Sequence, residues 1–424
     1  MKNKIRNTFL SLRIRNYRLY FIGQAISLSG TWIQTIAQGW LVLQLTHSGT
    51  QLGIVYTFQF LPILILGPWG GLVADRFSKR KILYLTQGIF GVLALVLGIL
   101  VLTHSIQIYM VYIFALILGL VNVINSPTLH TFIPEMVGKE NLQNAVSLNV
   151  MESNLARAIG PALAGILILS VGIGWCFIFN AISFIAVIIA FSIMKEKELH
   201  LTFRAQNKSG QLMEGLRYVR SNPILFNTLL MMAIIGTLSY EFATSLPLIA
   251  QYTFHGDAGS YAFLQTFIGI GSAVGGLLAA SRKKISSNMI VVSAMGLGVS
   301  LTIAAFMPNI FLMILVMFIV GIFSINYISL SNTTLQTESR PEMRGRVMAL
   351  WTVAFLGSTS IGGPIIGWIG EHIGPRYGLA VGGVAAIIAA FIGKIKIARN
   401  NETHIVSSET KILEEEVGEQ MNLK

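Results

Sequence analysis

Charge is what this chain has least of. Asp, Glu, Lys and Arg make up 11% of its 424 residues, against about 25% in an ordinary soluble domain. Residues 19 to 74 contain none of them, and neither do residues 82 to 134. With 54% hydrophobic residues and a mean hydropathy of +0.69, a soluble fold of this length could not hide its apolar surface. Cysteine is nearly missing as well. The single thiol, Cys176, lies in an apolar run, which excludes an intrachain disulfide and any Cys-based metal site. His-Glu-x-x-His is absent and the seven histidines form no metal cluster, which argues against an intramembrane metalloprotease. No P-loop is present, so ATP is not expected as the direct energy source. A cleavable leader of about 15 to 30 residues is missing too, and the first apolar segment is expected to stay in the mature protein. No catalytic residue, metal or cofactor is expected.

What is present is a succession of long apolar stretches. Each charge-free interval has room for two membrane crossings at about 20 residues apiece. Twelve helices are predicted, near 17–45, 50–74, 80–103, 106–134, 141–170, 174–195, 223–252, 258–281, 286–306, 309–337, 343–370 and 376–397. The fold class is therefore an all-α polytopic membrane protein. The net charge of +12 does not point to nucleic acid, because Lys and Arg sit in short segments between apolar runs. They sort by side: Arg13, Arg15, Arg18, Arg76, Lys79, Arg80, Lys81, Lys195, Arg282, Lys283, Lys284, Arg340 and Arg344 fall at one end of the bundle, and the other end offers only Arg376. By the positive-inside rule both termini face the cytoplasm. The expected organisation is a cytoplasmic arm over 1–16, a six-helix bundle over 17–195, a cytoplasmic linker over 196–222, a second bundle over 223–397 and an acidic cytoplasmic tail over 398–424.

The two halves repeat. Gly70-Gly71-Leu72-Val73-Ala74 aligns with Gly275-Gly276-Leu277-Leu278-Ala279, and Gly160-Pro161-Ala162-Leu163-Ala164-Gly165 aligns with Gly363-Pro364-Ile365-Ile366-Gly367. Two matches in the same order suggest duplication with a small gap. Parallel six-helix repeats place a solute site near the midplane between the halves.

The run Gly71-Leu72-Val73-Ala74-Asp75-Arg76-Phe77-Ser78-Lys79-Arg80-Lys81 resembles the loop signature of the major facilitator superfamily. The resemblance covers residues 15 to 397. Asn16-Tyr17-Arg18-Leu19-Tyr20, Gly30-Thr31-Trp32 and Arg157-Ala158-Ile159-Gly160-Pro161 look most like its bacterial drug-exporter branch, which includes macrolide efflux and enterobactin export proteins. Asp75 matches the acidic position and Arg76, Lys79 and Arg80 the basic ones. Ser78 stands where a second Gly is usual, and the repeat copy has Ala280 at the acidic position. The resemblance implies that Gly71, Asp75, Arg76, Lys79 and Arg80 form a conformational latch. It also likens Ala156, Gly160, Pro161 and Ala164 of helix 5, with Gly363, Pro364 and Gly367 of helix 11, to the antiporter branch's glycine-proline motif. Small residues at a spacing of four let helix backbones approach, so plain packing accounts for them equally well. Pro161 and Pro364 are candidate hinges.

Polar stripes within the spans mark where a solute could pass. Gln24, Ser27, Thr31, Gln34, Thr35 and Gln38 fall on one face of helix 1. Helix 4 carries Asn122 and Asn125, helix 7 Tyr240, and helix 10 Asn326. Cavity-lining candidates are thus Gln24, Thr31, Gln34, Gln38, Asn122, Asn125, Tyr240 and Asn326. Hydrogen bonding between helices is the competing reading of any one stripe. Three ionisable residues lie inside spans: Glu152 and Arg157 in helix 5 and Glu241 in helix 7. A charge at the bilayer centre costs about 2.5–3.5 kcal/mol even on the mild insertion scale, so each should meet a cavity or a partner. Glu241 is the first candidate for proton coupling and Glu152 the second. Arg157 is about 140° around the helix from Glu152, a poor angle for pairing, and is expected to organise helices 1, 4 and 5.

The expected function is secondary active transport: proton-coupled export of amphipathic small molecules or drugs by alternating access. Export of one metabolite such as a siderophore, or lipid flipping, stays open. Expected partners are a small-molecule substrate, protons and the bilayer, with no nucleic acid, the protein working as a monomer in the bacterial cytoplasmic membrane. In a Cys176→Ser background, cysteines at positions 200 and 410 should react with an impermeant thiol reagent only from the cytoplasmic side, and one at 256 only from outside. Labelling of position 410 on intact cells would overturn the orientation.

Overall fold

The computed structural model describes residues 9–200, 211–280 and 287–394; the side chains at 68, 71–75, 211–212, 280 and 287 lie outside the described set. The residues 1–8, the linker 201–210, the basic segment holding Arg282, Lys283 and Lys284, and the acidic tail are likewise outside it. The described residues are helical apart from short connections, with no strand among them. This follows from the medium, since a chain in hydrocarbon must satisfy its backbone N–H and C=O groups within each segment.

Among the described residues, ten helical segments are long and apolar enough to cross a membrane. One of them, Ile108–Ser170, runs 63 residues and breaks at Gly138, so it crosses twice. Arg15–Thr46, at 32 residues, is also long enough and is polar along one face. The spanning helices are therefore α1 (Arg15–Thr46), α2 (Gly49–Arg76), α3 (Lys79–Leu102), α4 (108–137), α5 (139–170), α6 (Ile173–Ile193), α7 (Pro223–Thr253), α8 (Ala258–Ala280), α9 (Ser287–Ala305), α10 (Ile310–Glu338), α11 (Arg344–His372) and α12 (Pro375–Lys394).

The α4–α5 corner is tighter than the sequence suggests. Helix continues through Pro134 and resumes at once after Gly138, whose φ of +70° is open to glycine and strained for other residues. His200 closes the corner by donating its N–H to the Glu135 carbonyl at 2.7 Å. The linker helix Gln211–Ser221 packs on the start of α11, where Arg346 meets Glu214 at 2.6 Å and Val219 joins Leu225, Leu335 and Val347 in a small core.

Helix α7 departs from the continuous span expected. It stops at Leu238, turns through Ser239, Tyr240 and Glu241, resumes at Phe242 and ends in a π-turn over Ile249–Thr253. Side chains hold the break open. Ser239 Oγ donates to the Gly382 carbonyl of α12 at 2.6 Å, and Tyr240 Oη donates to the Ser324 carbonyl of α10 at 2.9 Å.

The halves meet along two seams. In one, α2 lies against α11; in the other, α5 lies against α8. Because helix 2 corresponds to helix 8 and helix 5 to helix 11 in the repeat, the seams are equivalents under the duplication. Glycine makes both possible. Gly49 and Gly53 meet Gly367 and Gly363 backbone to backbone, Gly165 meets Gly259 and Ala262, and Gly269 lies on the backbone of Arg157 and Ala158. Gly160, by contrast, packs inside its own half, against Trp32 and Ser29 of α1. A Cβ at Gly160 would land on Trp32. Gly160→Leu should therefore cost about 1–3 kcal/mol by overpacking, measured as a lower thermal midpoint of the purified protein in detergent; an unchanged midpoint would rule this packing role out.

Candidate functional site

The loop signature fastens one half internally. Lys79, at the first turn of α3, is ion-paired with the buried Glu135 at the end of α4. Arg80 donates Nε to the Phe191 carbonyl at 2.8 Å and NH2 to Ser192 at 3.1 Å, and its NH1 meets Glu196 at 2.5 Å. The guanidinium thereby occupies carbonyls that the C-terminal turn of α6 leaves without helical partners. Arg76 is exposed. Gly71 and Asp75 continue α2, but their side chains lie outside the described residues.

Not all the stripe residues face a common space. Gln34 accepts from Asn180 Nδ2 of α6 at 2.7 Å, and Asn125 accepts from Thr86 at 2.8 Å and Gln87 at 3.2 Å on α3. The sequence pattern puts both among cavity-lining positions, whereas in the structure both use their amides inside the N-terminal half, binding peripheral helices to central ones. Gln38 bonds Gln59 of α2 at 3.2 Å, Asn122 is half-buried, Thr31 is exposed, and the buried Gln24 leaves Oε1 without a partner. Asn326 donates to the Ile322 carbonyl of its own helix at 2.7 Å, leaving Oδ1 unpartnered.

Glu241 sits in the break of α7, 3% exposed. Its carboxylate lies over Gly362 and Gly363 of α11, directly behind the place where Gly363 meets Gly53 of α2. Oε1 has no hydrogen-bond partner, and no described basic residue forms an ion pair with it. Thr57 of α2 extends the seam with a bond to the Ser360 carbonyl at 2.8 Å. Glu152, 4% exposed, lies on α5 one turn beyond Leu148, which packs with Tyr17 and Tyr20 of α1, and its Oε1 also has no hydrogen-bond partner. Arg157 does not pair with it. The guanidinium lies 5.5 Å from the centre of the Trp32 ring.

One residue escaped the sequence reading. Glu371, at the last turn of α11, accepts from Ser48 Oγ at 2.6 Å and from the Thr50 backbone N–H at 2.8 Å. A carboxylate from one half thus caps the N-terminus of a helix in the other, where negative charge is favoured. Tyr252 adds a bond to the His47 carbonyl at 3.2 Å. These contacts lie at the end away from the Arg76–Lys81 loop, so that end is closed. A separate groove of about 700 Å³, lined by Val292, Met295, Val316 and Phe323, runs along α9 and α10, away from either seam.

Twelve spans in two matched halves, joined by symmetry-related glycine seams with a buried carboxylate behind one of them, define a secondary transporter of the major facilitator type. A family model described as a transmembrane secretion effector matches residues 6–424. The chain belongs to that family. Among its relatives, the staphyloferrin A transporter of Staphylococcus aureus is 26% identical over 345 residues, covering 78% of this chain and 84% of the relative. The enterobactin exporter EntS of Citrobacter koseri is 24% identical over 379 residues, covering 89% and 90%. Of solved structures, a bacterial homologue of the human lysosomal transporter Spinster, inward-facing and unoccupied, superposes with a TM-score of 0.66 at 14% identity over 90% of this chain and 95% of that one. A POT family transporter in complex with 5-aminolevulinic acid gives 0.73 at 11% identity over 90% and 96%. These structures share the fold. The chain is a multi-pass membrane protein and stands among secondary transporters that export small molecules.

The cap on α2 has a measurable consequence. Glu371→Ala should weaken closure by about 1 kcal/mol for an exposed charge-assisted contact, roughly fivefold in the open-to-closed ratio. Spin labels on His104→Cys and His255→Cys, at that end of the two halves, should show a larger population at long distances by double electron–electron resonance. An unchanged distance distribution would remove Glu371 from the closure.

Proposed function

We propose that the protein is a proton-coupled exporter working by alternating access, with both termini cytoplasmic and a single chain as the working unit. In this reading the N-terminal bundle spans 17–195 and the C-terminal bundle 223–397. The Arg76–Lys81 end is the cytoplasmic one, so the closed seams face outward. Asp75 belongs to a latch that engages in one conformation, while Lys79 and Arg80 keep its base attached to α4 and α6. The relatives' names support a siderophore-type metabolite as cargo, within the broader class of amphipathic small molecules.

The observation that carries the coupling is the position of Glu241. A carboxylate behind the α2–α11 seam is shut off from the outer side while that seam is closed and becomes reachable when it opens. Its occupancy by a proton is then linked to which side is open. The Gly362–Gly363 pair gives it a site without a counter-charge. Glu152, buried on α5, is the secondary candidate.

Glu241→Gln imitates permanent protonation. In proteoliposomes with an imposed pH difference, it should abolish uphill export while downhill exchange persists in part. Full pH-driven accumulation by this variant would exclude Glu241 from coupling. Gene loss that sensitises cells to iron limitation would favour a siderophore; sensitivity to antibiotics alone would favour drug export.

A further inference from the structure

Arg157 is a cation near the middle of the membrane with no carboxylate to neutralise it. None of the described ion pairs includes it, and its Nε is buried with no hydrogen-bond partner. The ring of Trp32 at 5.5 Å supplies one face. A cation–π contact gives about 0.5–2 kcal/mol, less than the cost of an unpaired charge at this depth. Something else must answer that charge during the working cycle.

The surroundings indicate what. Arg157 lies on α5 where Gly269 of α8 brings the second half onto its backbone. It therefore sits at the boundary between halves, where a solute alternately exposed to the two sides must pass. On the second half a run of rings is available: Tyr240 of α7 meets Phe355 edge-on at 5.5 Å, and Trp351 lies 5.2 Å from Phe355, with its own indole N–H buried and unpartnered. Asn326 Oδ1 on α10 is also without a donor. An unpaired guanidinium, a run of aromatic rings and an unused indole donor suit an organic anion with an apolar or aromatic body.

We propose that Arg157 holds a carboxylate or equivalent oxygen anion of the transported molecule, with Trp32 and Tyr240 against its body. This rests on the transport reading above and specifies its cargo: anionic molecules are preferred over their neutral counterparts, and cations are repelled. The planar guanidinium offers two parallel N–H donors to a carboxylate, and a lysine offers one compact charge. Geometry as well as charge is therefore read at this position.

The test uses an isosteric pair of probes, naphthalene-2-carboxylate and naphthalene-2-carboxamide, titrated into the purified full-length protein and followed by tryptophan fluorescence. The wild type should bind the carboxylate about 10- to 100-fold more tightly than the amide, as a charge-assisted hydrogen bond implies. Arg157→Gln should bring the two affinities together by weakening the carboxylate alone, and Arg157→Lys should retain part of the difference. Equal affinities in the wild type, no binding of the carboxylate, or an unchanged preference in Arg157→Gln would each overturn the proposal. Should Arg157→Gln fail to fold, the same comparison is made with Arg157→Lys, whose preference must fall below that of the wild type. Transport is assayed separately in proteoliposomes. A wild type that binds the anion selectively yet exports nothing would sink the exporter reading and leave the anion site standing.

Discussion

Everything in this molecule depends on how close two helices from different halves can come. At Gly53 and Gly363 the α2 and α11 backbones touch with no side chain between them, and Gly49 and Gly367 repeat the contact one turn further out. In hydrocarbon there is no hydrophobic drive to press helices together, so close packing, interhelical hydrogen bonds and lipid entropy must do it. The glycines provide the packing. Thr57 to Ser360, Ser48 to Glu371 and Tyr252 to His47 provide the bonds. Seams made of small residues have a particular advantage: they can separate and re-form without side chains having to interlock.

Around these movable seams the rest is built to stay put. Arg80 ties the first turn of α3 to the last carbonyls of α6, and Lys79 ties it to α4. Gln34 with Asn180, and Asn125 with Thr86 and Gln87, stitch peripheral helices to central ones. The N-terminal element joins in, since Ser11 bonds Asn144 and Asn141, and the Asn16 side chain bonds the Lys195 backbone at both ends of its amide. Such bonds between polar groups in lipid are each modest, about 0.6 kcal/mol on average. Distributed over the half, they favour movement as a unit.

The fold was legible in the sequence because the bilayer imposes a coarse rule. Charge-free intervals, a basic segment every second crossing and a duplicated Gly-Pro run all survive in one dimension. Partnership does not. The stripe on α1 marks a polar face, but whether Gln34 looks toward a solute or toward Asn180 depends on a helix some 146 positions away. The break in α7 had no local punctuation: Ser239, Tyr240 and Glu241 are neither Gly nor Pro, and the chain is held there by α10 and α12. Glu371 was passed over because it stands at a helix end, where a carboxylate ordinarily faces water. Its scarcity was the available clue, as Asp257 is the other acid at that end among the described residues. Glu152 and Glu241 both stood out as charges in apolar runs; only placement shows that Glu241 lies directly behind the Gly53–Gly363 contact.

The backbone contacts at Gly49–Gly367 and Gly53–Gly363 bear on the membrane as much as on the protein. When such a seam parts, the surface uncovered is smooth, and acyl chains or water must line what the opposite backbone lined before. The work of opening is then partly the work of rearranging lipid, and it rises with lateral pressure at the depth of the glycines. A transporter closed in this way has its turnover set in part by the mechanical state of its bilayer, so the same sequence would run at different speeds in membranes of different thickness and chain order.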